Sequence, residues 1–284
     1  MKKPGFGMRA KRIAADAVCE GILIALSVVW LIPVLWIALQ GFRGEGGALV
    51  SYYFPKTFTF ANYAALFTDA LFPRWIMNTL TVAVVSCVMS VMLTLMVAYS
   101  LSRFKFKQKK FFMNVAMVLG MFPGFMSMIA VYYIFKAIGL DGTLIALVIV
   151  YSSGGALGFY VAKGYFDTLS LSLDEAAKID GAKNWQVFFI IILPLARPII
   201  VYTALMAFLA PWTDFIFARV ILGTNRESYT VAIGLYDWVS TTRSNLMFTQ
   251  FAAGSMVVAV PIVLLFIFLQ KYYVEGITGG AVKG

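Results

Sequence analysis

Among the long apolar runs of this 284-residue sequence there is one carboxylate, Asp214, in the stretch Pro211-Trp212-Thr213-Asp214-Phe215. A charge is costly in hydrocarbon, so such a residue either handles a cation, proton or polar ligand or ties one helix to another. No acid/base couple accompanies it. The chain has no histidine, and its two cysteines are Cys19, just before the first apolar run, and Cys87, within the second. His/Cys metal sites, histidine proton shuttles and Ser-His or Cys-His nucleophile pairs are therefore excluded, and two cysteines make no disulfide framework. No glycine-rich loop ending in Gly-Lys-Ser/Thr is present, so the chain has no cradle for nucleotide phosphates.

A second group of residues points to docking. Lys163 to Arg197 is a polar stretch of about 35 residues between apolar runs, far longer than a simple turn. Ser172 precedes Glu175 by three residues, a capping-box spacing that predicts a helix from Leu173 to Asp180. Gly181 stands where a left-handed cap belongs, and a second amphipathic stretch runs from Asn184 to Leu193, before Pro194. Trp185, Val187, Phe188 and Ile191 supply its apolar face. Two short helices with apolar residues at helical spacing form a docking element for lipid or protein.

The elements that must position these residues are membrane spans. Hydrophobic residues make up 61% of the chain and charged residues only 13%, against about half and a quarter in a soluble domain. Six runs each reach the ~20 residues that a membrane-crossing helix requires: 21–41, 75–102, 111–135, 142–162, 198–218 and 244–270. The expected fold is an all-α integral membrane protein, with residues 1–17 a basic terminus and 18–284 one transmembrane domain. The first run lacks a small-residue cleavage site and is expected to remain as a span.

Positive charge sets the orientation. With both ends inside, 16 of the 23 Lys and Arg residues fall in four cytoplasmic segments: the N-terminus, 103–110, the loop 163–197 and the tail 271–284. The formal charge of +10 is then a topology signal, and no nucleic acid is needed to account for it. Pro33, Pro123, Pro211 and Pro261 interrupt four runs and call for packing against neighbours. Gly120 with Gly124, and Gly154 with Gly158, have the spacing of close helix contacts. The patch Tyr151-Ser152-Ser153-Gly154-Gly155 suits a pathway wall.

Glu175-Ala176-Ala177, then Gly181, Ile191 and Leu193-Pro194, resembles at every position the EAA loop of the permease subunits of bacterial ABC importers. Gln270-Lys271, Val274, Gly276, Thr278 and the ending Gly-Ala-Val-Lys-Gly look like the C-terminus of the second, shorter permease of maltose-type sugar importers, and the Pro211 to Phe215 stretch is similar to the fifth span of that branch. The likeness covers most of the chain from Arg74 onward. It implies a six-helix bundle of the type I importer kind in a bacterial cytoplasmic membrane, with no catalysis in this chain. Expected partners are a homologous second permease, two ATP-binding cassette subunits that hold the ATP and Mg, an extracytoplasmic solute-binding protein and membrane lipid.

The resemblance further implies that Glu175, Ala176, Ala177, Gly181, Ile191, Leu193 and Pro194 couple ATPase closure to alternating access, and that the tail from Gly276 to Gly284 reaches toward the ATPases. Oligosaccharides of the maltodextrin or galacto-oligosaccharide type are the expected substrates, with glycerol phosphate or another polyol as the alternative. Tyr160, Trp212 and Asp214 are the pathway candidates, because aromatic faces suit the apolar faces of sugar rings. An ion-coupled secondary transporter is the competing class, with Asp214 as its single intramembrane ionisable group. A membrane enzyme is a further one, and it lacks paired carboxylates in the spans.

Overall fold

The computed structural model describes residues 6–45, 52–68, 71–122, 124–240 and 244–278. Among them the one extended pairing is an isolated antiparallel bridge between Arg43 and Phe58. The helices are α1 (Phe6–Gly41), α2 (Ala61–Thr68), α3 (Leu71–Arg103), α4 (Lys109–Met121), α5 (Gly124–Ala137), α6 (Leu144–Leu157), α7 (Phe159–Thr168) and α8 (Leu171–Ile179). They continue with α9 (Asn184–Gln186), a π-helical turn (Val187–Ile192), α10 (Leu193–Leu195), α11 (Arg197–Thr213), α12 (Ile216–Leu222), α13 (Val231–Ser240) and α14 (Ser244–Thr278).

Among the described residues, three stretches are long and apolar enough to cross a membrane on their own: Ala14–Gly41, Leu71–Arg103 and Met247–Tyr272. Two bent pairs raise that number to five if each is one span. The third sequence run is one of them: α4 and α5 meet at 102° rather than forming a single rod. Phe122 is extended there (φ −71°, ψ 135°), the conformation that a following proline favours. The fourth run, 142–162, is divided between α6 and α7 at Gly158, where three nearby glycines weaken the helix. The fifth ends at Thr213, and α12 is separate; Pro211 stays inside α11, and the break falls at Asp214.

The chain forms two compact units. One comprises Met1–Thr68 and Trp238–Val258. From Val18 to Leu35 the large apolar side chains of α1 are about half exposed or more, as expected of a helix whose solvent is lipid. At its end Gly41 packs so closely that an added Cβ would lie 2.8 Å from the Tyr63 hydroxyl and 3.1 Å from Ala253 Cα. Asn62 Nδ2 donates to the carbonyls of Gly41 (3.1 Å) and Arg43 (2.8 Å), which fixes the turn from α1 into the following segment.

The other unit comprises Asp69–Asp237 and Ala259–Gly284. Its centre is α3, packed against α6, α7 and α11. Val82, Ala83, Leu95 and Ala98 on α3, Ala146 and Leu147 on α6, and Ile199 and Leu205 on α11 are all buried. The start of α3 is pinned by long-range hydrogen bonds. Trp75 Nε1 donates to the Arg226 carbonyl (2.7 Å), Asn78 Nδ2 to the Glu227 and Tyr229 carbonyls, and the Val231 amide to Thr79 Oγ1 (2.8 Å). Gly234 lies against the Trp75 ring, where an added Cβ would collide with Cε3. By contrast, a Cβ added at Gly120 or Gly124 would meet nothing within 4 Å, so this expected packing pair makes no close contact among the described residues. The side-chain surroundings of Gly154, in the second expected pair, lie outside the described residues.

Candidate functional site

The loop between α7 and α11 begins with Thr168 at the end of α7 and turns at Leu169. Ser170 is the N-cap of α8, its Oγ accepting from the Ser172 amide at 3.3 Å. The helix therefore starts two residues before the expected Leu173, and Ser172 is a helical residue rather than the cap. Its C-terminal end is as expected. Gly181 has φ +85°, its amide donates to Lys178 O (3.1 Å), and the Ala182 amide donates to Ala177 O (2.9 Å), which closes a Schellman motif.

After Gly181 the chain returns through α9, the π-helical turn and α10. The π turn accommodates one extra residue without unwinding the helix. Pro194 does not end this stretch; it sits near the start of α10. The break comes at Ala196, because Pro198 has no N–H to donate to the Pro194 carbonyl, and α11 leaves at 85° to the preceding helix. Val187 and Phe188 are buried and Ile191 half-buried, as the apolar spacing implies, but Trp185 is exposed, and the fully buried Ile192 takes a place in the core.

Burial divides the motif into two faces. Glu175, Ala176, Ile179 and Gly181 are exposed, and Ile179 is 86% exposed, an unusual position for an isoleucine on a polar loop. Ala177 is only 7% exposed and packs into a cluster with Tyr99, Phe166, Val187 and Phe188. Ile191 and Leu193 lean on the same cluster, and Pro194 is exposed. Ala177, Ile191 and Leu193 thus build the loop, whereas Glu175 and Ala176 face outward.

The residues that anchor this arrangement belong to no motif legible in the sequence. Asp174, next to Glu175 but on the inward side of α8, is buried and sits 3.1 Å from Arg103 Nε at the end of α3. Tyr99 OH donates to Asp174 Oδ1 (3.3 Å), and Arg103 Nη2 donates to the Leu169 carbonyl (3.1 Å). Ser102 Oγ donates to Asp167 Oδ1 (2.6 Å), and Lys163 pairs with the same carboxylate. The one available signal is helical phase. Asp174 precedes Ala177 by three residues and so shares its face, and a carboxylate turned inward requires a buried cation such as Arg103.

A second locus lies elsewhere along α3. A cavity of about 590 Å³ is bounded by Ser90 and Thr94 from α3, Tyr151 from α6, Tyr202 and Met206 from α11, and Asp214 with Phe217 beyond it. Asp214 is extended (φ −81°, ψ 115°) at the gap between α11 and α12. Its Oδ2 accepts from Tyr151 OH (2.8 Å) and its Oδ1 from the Phe217 amide (3.0 Å). The carboxylate therefore bridges two helices and also faces a cavity. No Lys or Arg is among the described residues lining it. Ser90 Oγ is buried and makes no hydrogen bond among the described residues.

Of the three pathway candidates only Asp214 reaches this cavity. Tyr160 OH donates to the Met113 carbonyl, and its ring stacks on Phe159 with centroids 4.4 Å apart. Trp212 packs on Phe208 at 6.0 Å, and its indole N–H is buried without a hydrogen bond among the described residues. Tyr151, part of the polar patch suited to a pathway wall, borders the cavity, with Tyr202 and Phe217 as its other aromatic residues among those described.

Comparison with known proteins gives a consistent result. Residues 90–278 match the model of the family described as binding-protein-dependent transport system inner membrane component. The galactooligosaccharides transport system permease protein GanQ of Bacillus subtilis is 33% identical over 267 residues, covering 93% of this chain and 94% of its own length. The maltodextrin transport system permease protein MalD of Streptococcus pneumoniae is 32% identical over 278 residues, covering 98% of this chain and 99% of its own. Among solved structures, a bacterial ABC transporter involved in the import of the acidic polysaccharide alginate has a chain that superposes with a TM-score of 0.76 at 22% identity, over 96% of this chain and 100% of that one, so the fold is shared.

Proposed function

The chain belongs to the binding-protein-dependent transport system inner membrane component family, and from that premise we propose how this permease subunit of an ABC importer couples ATP hydrolysis to the passage of an oligosaccharide. It is a multi-pass membrane protein that works with a solute-binding protein, and ATP hydrolysis belongs to separate subunits. Family membership sets aside the ion-coupled carrier and the membrane enzyme. Neutral oligosaccharides of the maltodextrin or galacto-oligosaccharide type are the proposed cargo, supported by the names of full-length relatives at 32% and 33% identity.

In this reading both termini and the loop 163–197 are cytoplasmic, a homologous permease completes the pathway, and two ATP-binding cassette subunits hold ATP and Mg. The observation that carries the coupling role is the split of α8 into two faces. Asp174 and Ala177 lock one face to the permease, and Glu175, Ala176, Ile179 and Gly181 leave the other free for the ATPase. An ATPase that closes moves α8 as a rigid body, since packed interfaces switch between discrete arrangements rather than deform. Arg103 carries that displacement to α3, and α3 carries Ser90 and Thr94 at the cavity. One continuous helix links Thr94 to Arg103, roughly 13 Å of stiff rod. Asp214 is the proposed polar contact of the pathway. Tyr160 and Trp212 support its walls from outside. Of the tail from Gly276 to Gly284 proposed to reach the ATPases, residues 279–284 lie outside the described residues.

The test is recovery of the ATPase with the purified permease. Gly181→Asp places a side chain at φ +85°, at a cost of about 1 kcal/mol or more, on the face left free for docking. With equal permease in the membrane, the variant should recover less ATPase and import less sugar. Equal recovery together with equal uptake would remove the coupling role.

A further inference from the structure

We propose that the corner between α3 and α4 is a binding site for an anionic phospholipid, with the phosphate held among Lys105, Lys107 and Lys109 and an acyl chain in the apolar cavity beside them. The placement in the cytoplasmic leaflet rests on the orientation proposed above; the site itself does not.

Two adjoining cavities carry this assignment. One, of about 500 Å³, is lined by Lys105, Phe106, Lys107 and Lys109. The other, of about 430 Å³, is walled by α3, α4 and α7 through Met96, Val97, Leu101, Phe112 and Phe159. Phe106 lines both, so a charged mouth and an apolar chamber share one wall. A ligand that fills both has an anionic end and a hydrocarbon end.

Charge complementarity selects the anion. Lys105, Lys107, Lys109 and Lys110 fall within six residues, and among the described residues none of the four takes part in an ion pair. Arg103, in the same stretch, is already committed to Asp174. Four uncompensated cations this close repel one another, and an anion between them relieves that repulsion. Positive charge at this depth attracts acidic headgroups, and basic pockets at helix ends on the cytoplasmic side are suited to them.

The neighbouring surface selects a lipid over a free phosphate. Phe111, Phe112, Val118 and Leu119 of α4 are all more than half exposed, which places the lysines at the end of a lipid-facing helix. Phe106 lines the same cavity as Lys105, Lys107 and Lys109, so an apolar ring and the cations share one mouth, as suits the boundary between headgroups and acyl chains. A free phosphate leaves the apolar chamber empty. Phosphatidylcholine fills the chamber but brings a cationic choline to the lysines.

The complete importer in nanodiscs of phosphatidylcholine doped with phosphatidylglycerol provides the test, with native mass spectrometry counting the lipids that stay on the released permease. The wild type should retain phosphatidylglycerol in preference to phosphatidylcholine. Lys105→Gln/Lys107→Gln/Lys109→Gln should reduce that retention by roughly a hundredfold, about fivefold per lysine. The corresponding triple Arg variant keeps the charge and should bind as the wild type does, and Lys56→Gln/Lys136→Gln, remote from the corner in sequence, should change nothing. Phe106→Ala should weaken retention of both lipids. Equal retention of the two lipids by the wild type, or unchanged phosphatidylglycerol on the triple Gln variant, would overturn the site. So would a triple Gln variant that loses ATPase while keeping its lipid, since the lysines would then serve a protein surface. Nanodiscs offer both leaflets, so a wrong orientation leaves the lipid result intact and is detected separately by labelling.

Discussion

Arg103 Nε lies 3.1 Å from Asp174 Oδ2 with both side chains at most 7% exposed, and this pair fastens the end of α3 to the helix that carries Glu175. Removing one member strands the other as a buried charge, a loss of about 3–5 kcal/mol. Asp174→Asn should therefore lower the melting temperature of the purified importer and reduce uptake. Exchanging the two residues, Arg103→Asp with Asp174→Arg, should restore part of both relative to either single change. A double variant no better than the worse single one would show that the pair does not act as a unit.

Ala176 and Ala177 are neighbours in sequence and opposite in exposure. Ala177→Trp forces a ring into the cluster around Tyr99 and Phe188, and overpacking of this kind costs about 1–3 kcal/mol. Its first effect should be a lower melting temperature of the permease measured without the ATPase. Ala176→Trp should leave that melting temperature unchanged and reduce ATPase recovery. The opposite pattern would mean that Ala177 is the docking residue.

Asp214 joins two helices through Tyr151 and the Phe217 amide while facing the cavity. Asp214→Leu removes both roles. Asp214→Asn keeps an acceptor for Tyr151, so the protein should reach the membrane at normal levels, yet uptake should fall about tenfold, the scale of one lost charge-assisted hydrogen bond. Normal uptake by Asp214→Asn would leave the residue a helix tie only.

Orientation is testable with single cysteines in a background without Cys19 and Cys87. A thiol near Lys107 or Lys178 should react only from the cytoplasm, and one near Lys56 only from outside, because the basic loops stay inside. Labelling of the Lys56 and Lys178 positions from the same side would contradict the six-span arrangement.

Much of this protein is set by local chemistry that can be read along the chain. Apolar runs of about 20 residues or more mark where helices can cross the membrane, since an unsatisfied backbone cannot cross hydrocarbon, but the breaks within 111–135, 142–162 and 198–218 appear only in the structure. Gly181 is readable as the left-handed cap of the helix that carries Glu175, and its φ of +85° is the local outcome expected of it, whereas the N-cap is Ser170 and not Ser172. The absence of histidine and of a phosphate loop is equally local, and it excludes whole classes of chemistry.

Only the tertiary structure decides the direction in which each side chain faces. The resemblance to the EAA loop groups Glu175, Ala176 and Ala177 into one motif, but contact with Tyr99, Phe166 and Phe188 is what turns Ala177 inward and leaves Ala176 outside. Arg103 reads as one more basic loop residue until Asp174, far along the chain, is brought beside it. Tyr160 and Trp212 have the right chemistry for a sugar wall, yet Tyr151 and Tyr202 border the cavity with Asp214. The phase of one helix against another is fixed by the packing of side chains from distant segments, and a linear pattern carries no term for that.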